Sequence, residues 1–299
     1  MTQSITQETS LTRQSWQWQG YNTVYTVQGE GQPLLLIHGF GASVGHWRKN
    51  IPRLADAGYQ VFAVDLLGFG GSDKPALDYS VELWQQQLYD FWEDKINEPT
   101  VFVGNSIGGL LTLMMLTQYP EISKGGVLIN CAGGLNHRPE ELQFPLSVIM
   151  GTFTQLVATP GLGKFVFNEV RRKPRIRNTL KQVYRDRAAI TDELVELLYQ
   201  PSCDLGAQKV FASVLTAPAG PKPKDLLPQV QCPLLVLWGE DDPWTPISGA
   251  KIYQDLSESN SQVEFYPIPQ AGHCAHDEKP EAVNQLIINW LLEFHQTHN

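Results

Sequence analysis

The middle of the chain combines a buried strand, a tight turn and an apolar helix in one continuous stretch. Residues 100–118 read TVFVGNSIGGLLTLMMLTQ. The run at 100–103 is typical of a strand, and the apolar segment at 109–118 predicts a helix. Between them stands Gly-x-Ser-x-Gly, a pattern in which a sharp turn exposes a serine hydroxyl above a sheet. We therefore predict that Ser106 is a nucleophile and that the N–H of Ile107, at the helix start, stabilises an oxyanion.

The same pattern occurs a second time, at residues 41–45, without the context that the chemistry needs. The segment after Ser43 is short and meets a proline at position 52, so no long helix follows. We therefore assign Ser43 to a loop.

The segment before Ser43 has a different predicted role. An apolar run at residues 34–37 leads into His-Gly-Phe-Gly at residues 38–41. A glycine-rich turn at the end of a strand can expose a backbone N–H, so we predict that the N–H of Phe40 is the second oxyanion donor. We expect His38 to form hydrogen bonds within this loop.

A serine hydroxyl is a poor nucleophile without a base, and the base must be oriented by a carboxylate. His273, in the sequence Ala-Gly-His, follows the last predicted strand and is the predicted base. Glu240, Asp241 and Asp242 follow the strand before it, so the residues leave three candidates for the acid. We expect His276 to pack within the loop.

Short apolar runs, each bounded by Gly, Pro, Asn or Asp, recur along the chain. Four such runs lie at residues 34–37, 61–64, 101–103 and 127–129, and the pattern resumes later in the chain at residues 234–238 and 263–268. Runs of this length are typical of strands buried on both faces of a parallel sheet. Helical segments are predicted at residues 81–95, 107–118 and 280–295, and a hairpin is predicted from residues 16–18 and 24–27, closed around residues 20–22. The alternation indicates a doubly wound α/β sheet of eight strands.

The alternation lapses between residues 133 and 228, which predict several helices. Glycine and proline break this region at residues 159–161 and close it at residues 217–223. We therefore predict three parts: a flexible N-terminal tail at 1–15, a core formed by 16–132 and 229–299, and a helical cap at 133–228.

Composition excludes some classes of function. The chain has 299 residues, with 22 Lys and Arg against 31 Asp and Glu, and a net charge of −9. Nucleic-acid binding is therefore not expected, because it needs a basic surface. Four cysteines without CxxC spacing predict reduced thiols in a cytoplasmic protein and no zinc site. Residues 164–187 are locally basic, which fits a solvated face or peripheral contact with an anionic membrane.

Taken together, these motifs resemble the α/β-hydrolase superfamily over residues 16–295. The resemblance rests on residues 38–41, 65–73, 104–109, 239–242 and 272–273. It implies that Asp242 is the acid, because the family places that residue three positions after the glycine at 239. Some members carry the acid after the sixth strand, where this chain has Asn130. The resemblance also implies a cap over the site and a structural role for Asp65 in ordering a loop.

The superfamily contains enzymes with other nucleophiles. A serine nucleophile argues against haloalkane dehalogenases and epoxide hydrolases, which use aspartate. Residues 38–47, 65–75 and 104–106 look most like a group of plant and cyanobacterial hydrolases that includes pheophytinase and chlorophyll dephytylase, which remove phytol from a chlorophyll-type ester. Apolar cap segments at residues 144–150 and 165–167 would suit a lipophilic ester.

The resulting expectation is a serine ester hydrolase that forms an acyl-enzyme and needs no metal or organic cofactor. Its partner would be a small-molecule ester, and the sequence leaves the oligomeric state open. Two alternatives remain open. The first is hydrolysis of a carbon–carbon bond in a diketone-like substrate by the same triad, and the second is a receptor that binds a ligand without turnover.

Overall fold

The computed structural model describes residues 11–136, 146–159 and 161–297. The strands are Arg13–Trp18 (β1), Tyr21–Gln28 (β2), Gln32–Ile37 (β3), Tyr59–Val64 (β4), Thr100–Asn105 (β5), Ser123–Ile129 (β6), Leu234–Gly239 (β7) and Val263–Ile268 (β8). They form one sheet in the order β1-β2-β4-β3-β5-β6-β7-β8. The β1–β2 and β2–β4 pairs are antiparallel, and the other pairs are parallel. This mostly parallel sheet confirms the predicted fold class.

The N-terminal hairpin differs in detail from the prediction. Its turn consists of Gln19 and Gly20, both with positive φ, because Tyr21 already belongs to β2 and pairs with Trp18. A two-residue turn with positive φ at both positions matches the twist of the flanking strands. The first strand begins at Arg13, three residues inside the segment predicted to be a flexible tail.

Helices cover both faces of the sheet. They are Ile51–Asp56 (α1), Val81–Lys95 (α2), Ile107–Gln118 (α3), Leu146–Ala158 (α4), Leu162–Val170 (α5), Lys173–Val183 (α6), Asp192–Tyr199 (α7), Ala207–Thr216 (α8), Pro223–Leu226 (α9), Lys251–Ser259 (α10), Ala275–Glu278 (α11) and Pro280–Thr297 (α12). In β3, Leu35 and Ile37 pack on the side of α2 and α3. Leu34 and Leu36 pack on the side of α1 and α12. The strand is apolar at successive positions because both its faces are buried.

The described residues between β6 and β7 form the helices α4–α9, and we call α4–α8 the cap. The break predicted at residues 159–161 separates α4 from α5. Leu180, Val183 and Tyr184 of the cap form a small apolar cluster that includes Cys274 of the core. Residues 144–145 of the predicted apolar cap segment lie outside the described residues, and the boundaries at 133 and 228 stay a prediction. Among the described residues, no helix is long and apolar enough to cross a membrane.

Candidate active site

Ser106 lies at the junction of β5 and α3, in a backbone conformation that residues other than glycine seldom adopt. Its φ is 57° and its ψ is −120°. A Cβ added at Gly104 would lie 2.0 Å from the carbonyl oxygen of Gly108, and one at Gly108 would lie 2.2 Å from that of Ile37. Both flanking positions therefore require glycine. Strained backbone of this kind is typical of functional sites.

The two predicted oxyanion donors belong to segments that meet at Ser106. Ile107 is the first residue of α3, so its N–H has no acceptor within the helix. The loop that carries Phe40 packs against the serine, since a Cβ added at Gly39 would lie 3.2 Å from Cβ of Ser106. Phe40 and Ser106 line the same cavity. The role of these two amides stays a prediction.

His273 and Asp242 form a direct pair. Nδ1 of His273 lies 2.7 Å from Oδ2 of Asp242, and both side chains are buried. With Nδ1–H donating to the carboxylate, the other ring nitrogen, Nε2, is the one that can accept a proton. Burial raises the pKa of Asp242, but the hydrogen bond and charge of His273 and the hydrogen bonds from Thr245 outweigh it. The net pKa of Asp242 is therefore below its ordinary value.

The structure separates the three candidate acids. Glu240 is exposed, and Asp241 forms an exposed ion pair with Arg185. Of the three, Asp242 contacts His273. The family resemblance selects the same residue.

Ser106, which follows β5, and His273, which follows β8, line the same cavity. Among the described residues, no hydrogen bond joins Oγ of Ser106 to the imidazole of His273. The amide of Asn105, next to the serine, donates a 3.0 Å hydrogen bond to the carbonyl of His273. Hydrogen bonds between a nucleophile and its base are often long before substrate binds, and they shorten in the complex. The placement is therefore compatible with a Ser–His–Asp triad.

Two side chains that support the acid were not predicted as site residues. Asn130 Nδ2 donates to Oδ2 of Asp242 at 2.8 Å, while Asn130 Oδ1 accepts from the N–H of Gly239. The hydroxyl of Thr245 also donates to Asp242, and its N–H donates to the other carboxylate oxygen. The position of Asn130 directly after β6 was the available signal, because other members of the superfamily carry their acid there.

His38, Asp65 and His276 have structural roles, in loops or in the core. His38 bonds to the carbonyl of Gly39 through Nδ1 and accepts from the N–H of Leu66 through Nε2, as expected for a residue that orders its loop. Asp65 accepts from two backbone N–H groups, one of them at Val44. His276 was predicted to lie in a loop, which is wrong in detail. It belongs to α11, fully buried, and its ring packs against Trp47, 4.2 Å between centroids.

The cap is fastened to the loop that carries His273. The N–H of His273 donates to the carbonyl of Val183 at 2.8 Å. The hydroxyl of Tyr184 donates to Asp277 and contacts Nε2 of His46, both at 2.8 Å. These contacts join residues that are ninety or more positions apart, so no local pattern in the sequence indicates them.

The cavity above Ser106 has a volume of about 260 Å³ and a predominantly apolar lining. The cap contributes Phe167, Val170, Leu180 and Phe211 to this lining. Two cations also line it. Lys74 is held by two backbone carbonyls and Asp204, and Arg171 is bonded to Asn168 and to the carbonyl of Ser202. Apolar pockets with a few convergent polar groups are the usual form of small-molecule sites.

Among the described residues, no group of three or more His, Cys, Asp and Glu side chains could hold a metal ion. The four cysteines are free thiols.

An α/β hydrolase is defined by a mostly parallel sheet with a helical cap, a glycine-flanked serine turn and a His–Asp pair. The chain belongs to the alpha/beta hydrolase family, whose profile matches residues 34–286. It is 27% identical to the chloroplastic pheophytinase of Arabidopsis thaliana, over 86% of this chain and 60% of that protein. The chain therefore spans less than two thirds of that relative.

Other relatives match this chain over most of their length. It is 30% identical to 2-hydroxy-6-oxo-6-(2'-aminophenyl)hexa-2,4-dienoic acid hydrolase of Metapseudomonas resinovorans, over 91% of this chain and 88% of that protein. Among solved structures, a meta-cleavage product hydrolase from Pseudomonas fluorescens IP01 superposes with a TM-score of 0.73 at 26% identity, covering 96% of this chain and 98% of the other. The family thus includes relatives of more than one hydrolase specificity.

Proposed function

We propose that this protein is a serine hydrolase that cleaves a carboxylic ester with a lipophilic group. The observation that carries the proposal is the 2.7 Å His273–Asp242 pair, in which His273 lines the same apolar cavity as the strained Ser106. An apolar cavity favours a neutral substrate, because it gives little compensation for the lost hydration of a charge. A phytyl-type ester, as the likeness to pheophytinase suggests, belongs to this class.

The proposed reaction has two halves. Oγ of Ser106 attacks the ester carbonyl while Nε2 of His273 takes the hydroxyl proton, and the N–H groups of Phe40 and Ile107 stabilise the oxyanion. Collapse of this intermediate breaks the bond to the alcohol, which leaves with the proton from His273. In the second half His273 removes a proton from water, and the hydroxide releases the acid and regenerates Ser106.

Hydrolysis of a carbon–carbon bond is the second candidate, since the relatives include dienoic acid hydrolases. Such a substrate carries a carboxylate and needs a cation in the pocket. Lys74 is already paired with Asp204, which leaves Arg171 as the better placed of the two lining cations. Because Arg171 also holds Asn168 and Ser202, we favour the neutral ester.

A substrate panel separates these candidates. It contains short and long p-nitrophenyl esters, a phytyl ester and a 2-hydroxy-6-oxo-dienoate, with products identified by mass spectrometry. We expect turnover of the long and phytyl esters, loss of activity in Ser106→Ala, and retained activity in Ser43→Ala, the serine of the second Gly-x-Ser-x-Gly segment. Turnover of the dienoate without the esters, reduced in Arg171→Met, would establish the second candidate. Binding without any product would establish a receptor.

A further inference from the structure

Helix α5 of the cap leaves large apolar side chains in solvent. Its inner positions Gly163 and Phe167 are buried, as expected for a helix packed on a core. Its other apolar residues are not covered: Leu162 is 48% exposed, Phe165 is 65% exposed and Val170 is 43% exposed. A helix on a solvated surface normally presents polar residues there.

The neighbouring helix extends this exposed area. Helix α4 packs against α5. It adds Val148, 57% exposed, and Leu156, 39% exposed. The apolar patch of the cap consists of Val148, Leu156, Leu162, Phe165 and Val170. Exposed apolar side chains grouped on two packed helices are typical of interaction sites.

Positive charge accompanies the patch. Residues 164–187 contain nine Lys and Arg against two acidic residues, in a chain whose net charge is −9. Four of these cations are paired with carboxylates: Arg172, Lys173, Arg177 and Arg185. Lys164, Arg175 and Lys181 are exposed and have no carboxylate partner within the described part of the chain. The cap is thus locally basic on an acidic protein.

The patch is continuous with the opening of the cavity. Val170 belongs to the patch and also lines the cavity. Phe40 and Trp244, on the core side, line the same cavity and are 39% and 50% exposed. The cavity therefore opens to the surface among apolar side chains from both the cap and the core.

We propose that the apolar patch docks on a lipid surface with anionic headgroups and holds the cavity opening at that surface. Apolar side chains flanked by Lys and Arg are the combination that binds such an interface. A second copy of this chain fits less well, because a two-fold contact through the patch would bring two copies of the same basic surface together. This inference goes beyond the proposed function and is independent of which bond is cleaved.

Co-sedimentation with vesicles tests the proposal. The probes are vesicles of phosphatidylcholine mixed with phosphatidylglycerol, and vesicles of phosphatidylcholine alone. Two double variants are compared with wild type, and we call both of them patch variants. The apolar variant is Leu162→Ser with Phe165→Ser, within the patch. The charge variant is Lys164→Glu with Arg175→Glu, at the cations that accompany the patch. The matched controls are Leu292→Ser, a half-exposed leucine of α12, and Arg53→Glu, an exposed arginine of α1. None of these residues lines the cavity.

We expect wild type to bind the anionic vesicles and to release them at high salt. Each cation removed should weaken binding to the anionic vesicles about fivefold. The Leu162 and Phe165 variant should bind about as weakly as the Lys164 and Arg175 variant. Both controls and Ser106→Ala should bind like wild type. Hydrolysis of a soluble short ester, unchanged in the patch variants, reports that they are folded. Equal binding by patch variants and controls, or no binding by wild type, would overturn the proposal. So would a dimer that disappears in the Leu162 and Phe165 variant.

Discussion

The backbone N–H of His273 donates its hydrogen bond to the carbonyl of Val183, the last residue of cap helix α6. The loop is held a second time through Glu278, whose carboxylate accepts from the N–H of Gly272 and from the N–H of Asp186. The proposed base is therefore positioned by the cap as well as by the sheet. Displacement of this part of the cap is expected to displace the imidazole.

Replacing Glu278 tests this coupling. Glu278→Ala leaves the buried N–H of Gly272 and the part-buried N–H of Asp186 without their acceptor, and an unpaired buried group costs about 1–3 kcal/mol. We expect a lower free energy of unfolding in urea and a lower kcat, with KM less affected. Glu258→Ala, an exposed carboxylate on α10, is the control and should behave like wild type. A destabilised Glu278 variant with full kcat would contradict positioning of His273 by this contact.

Acid should destabilise the folded protein through His46. Burial lowers the pKa of His46 to about 4, although Asp277 opposes this shift. The folded pKa lies below the ordinary value of 6.5, so between these values the unfolded chain binds the proton and the folded chain does not. Stability is therefore lost as the pH falls through this window, by about 3 kcal/mol for this group.

Urea unfolding at several pH values measures this loss. His46→Gln keeps a donor for the hydroxyl of Tyr184 but removes the titrating ring, so its stability should fall less steeply between pH 6.5 and 4. Tyr184→Phe removes the hydrogen bond but keeps the imidazole of His46, so the free energy of unfolding of this variant should still fall steeply with pH. Identical slopes in wild type and His46→Gln would show that His46 is not protonated on unfolding.

Moving the acid tests the role of Asn130. Asp242→Asn keeps the shape of the side chain but removes the charge that orients His273, and we expect kcat to fall about a thousandfold or more. Adding Asn130→Asp returns a carboxylate to the adjacent position, 2.8 Å from the original oxygen. Asn130 has a φ of 45°, a conformation that aspartate also tolerates. The double variant should regain at least about tenfold of the lost kcat, and no recovery would place that carboxylate out of reach of His273.

Cap residues in the cavity should set substrate size. Phe167→Ala removes a nearly buried ring from the lining and enlarges the space for an acyl or alkyl chain. We expect the ratio of kcat/KM for long over short p-nitrophenyl esters to rise about tenfold, since each methylene accommodated contributes about 1 kcal/mol. Phe165→Ala, on the exposed side of the same helix, is the matched control. An unchanged ratio in both variants would mean that the chain of the substrate lies elsewhere.

The parts of the fold that follow from local patterns were predictable. The strand at residues 34–37 reads as four apolar residues because both faces are covered, and the structure has it in β3. Gly104 and Gly108 are dictated by close backbone contacts, and the motif carries that constraint in the sequence. Asp242 needed the family resemblance, because the residues alone left three adjacent carboxylates.

The contacts between distant segments were not predictable. Gly272 is a glycine because a Cβ there would lie 2.0 Å from the carbonyl oxygen of Val183, a residue far earlier in the chain. The support of Asp242 by Asn130 likewise depends on how β6 and β7 pair. Neither relationship has a local periodicity, since it arises only when the sheet and the cap come together.

The most direct test of the central claim is covalent labelling with a fluorophosphonate, which reacts with an activated serine hydroxyl. We expect one adduct per chain, located on the Ser106 peptide by mass spectrometry, with labelling lost in Ser106→Ala and strongly slowed in His273→Ala. Ester hydrolysis should fall in step with labelling. A label on another residue, or full hydrolysis by the Ser106→Ala protein, would contradict the assignment of Ser106 as the nucleophile.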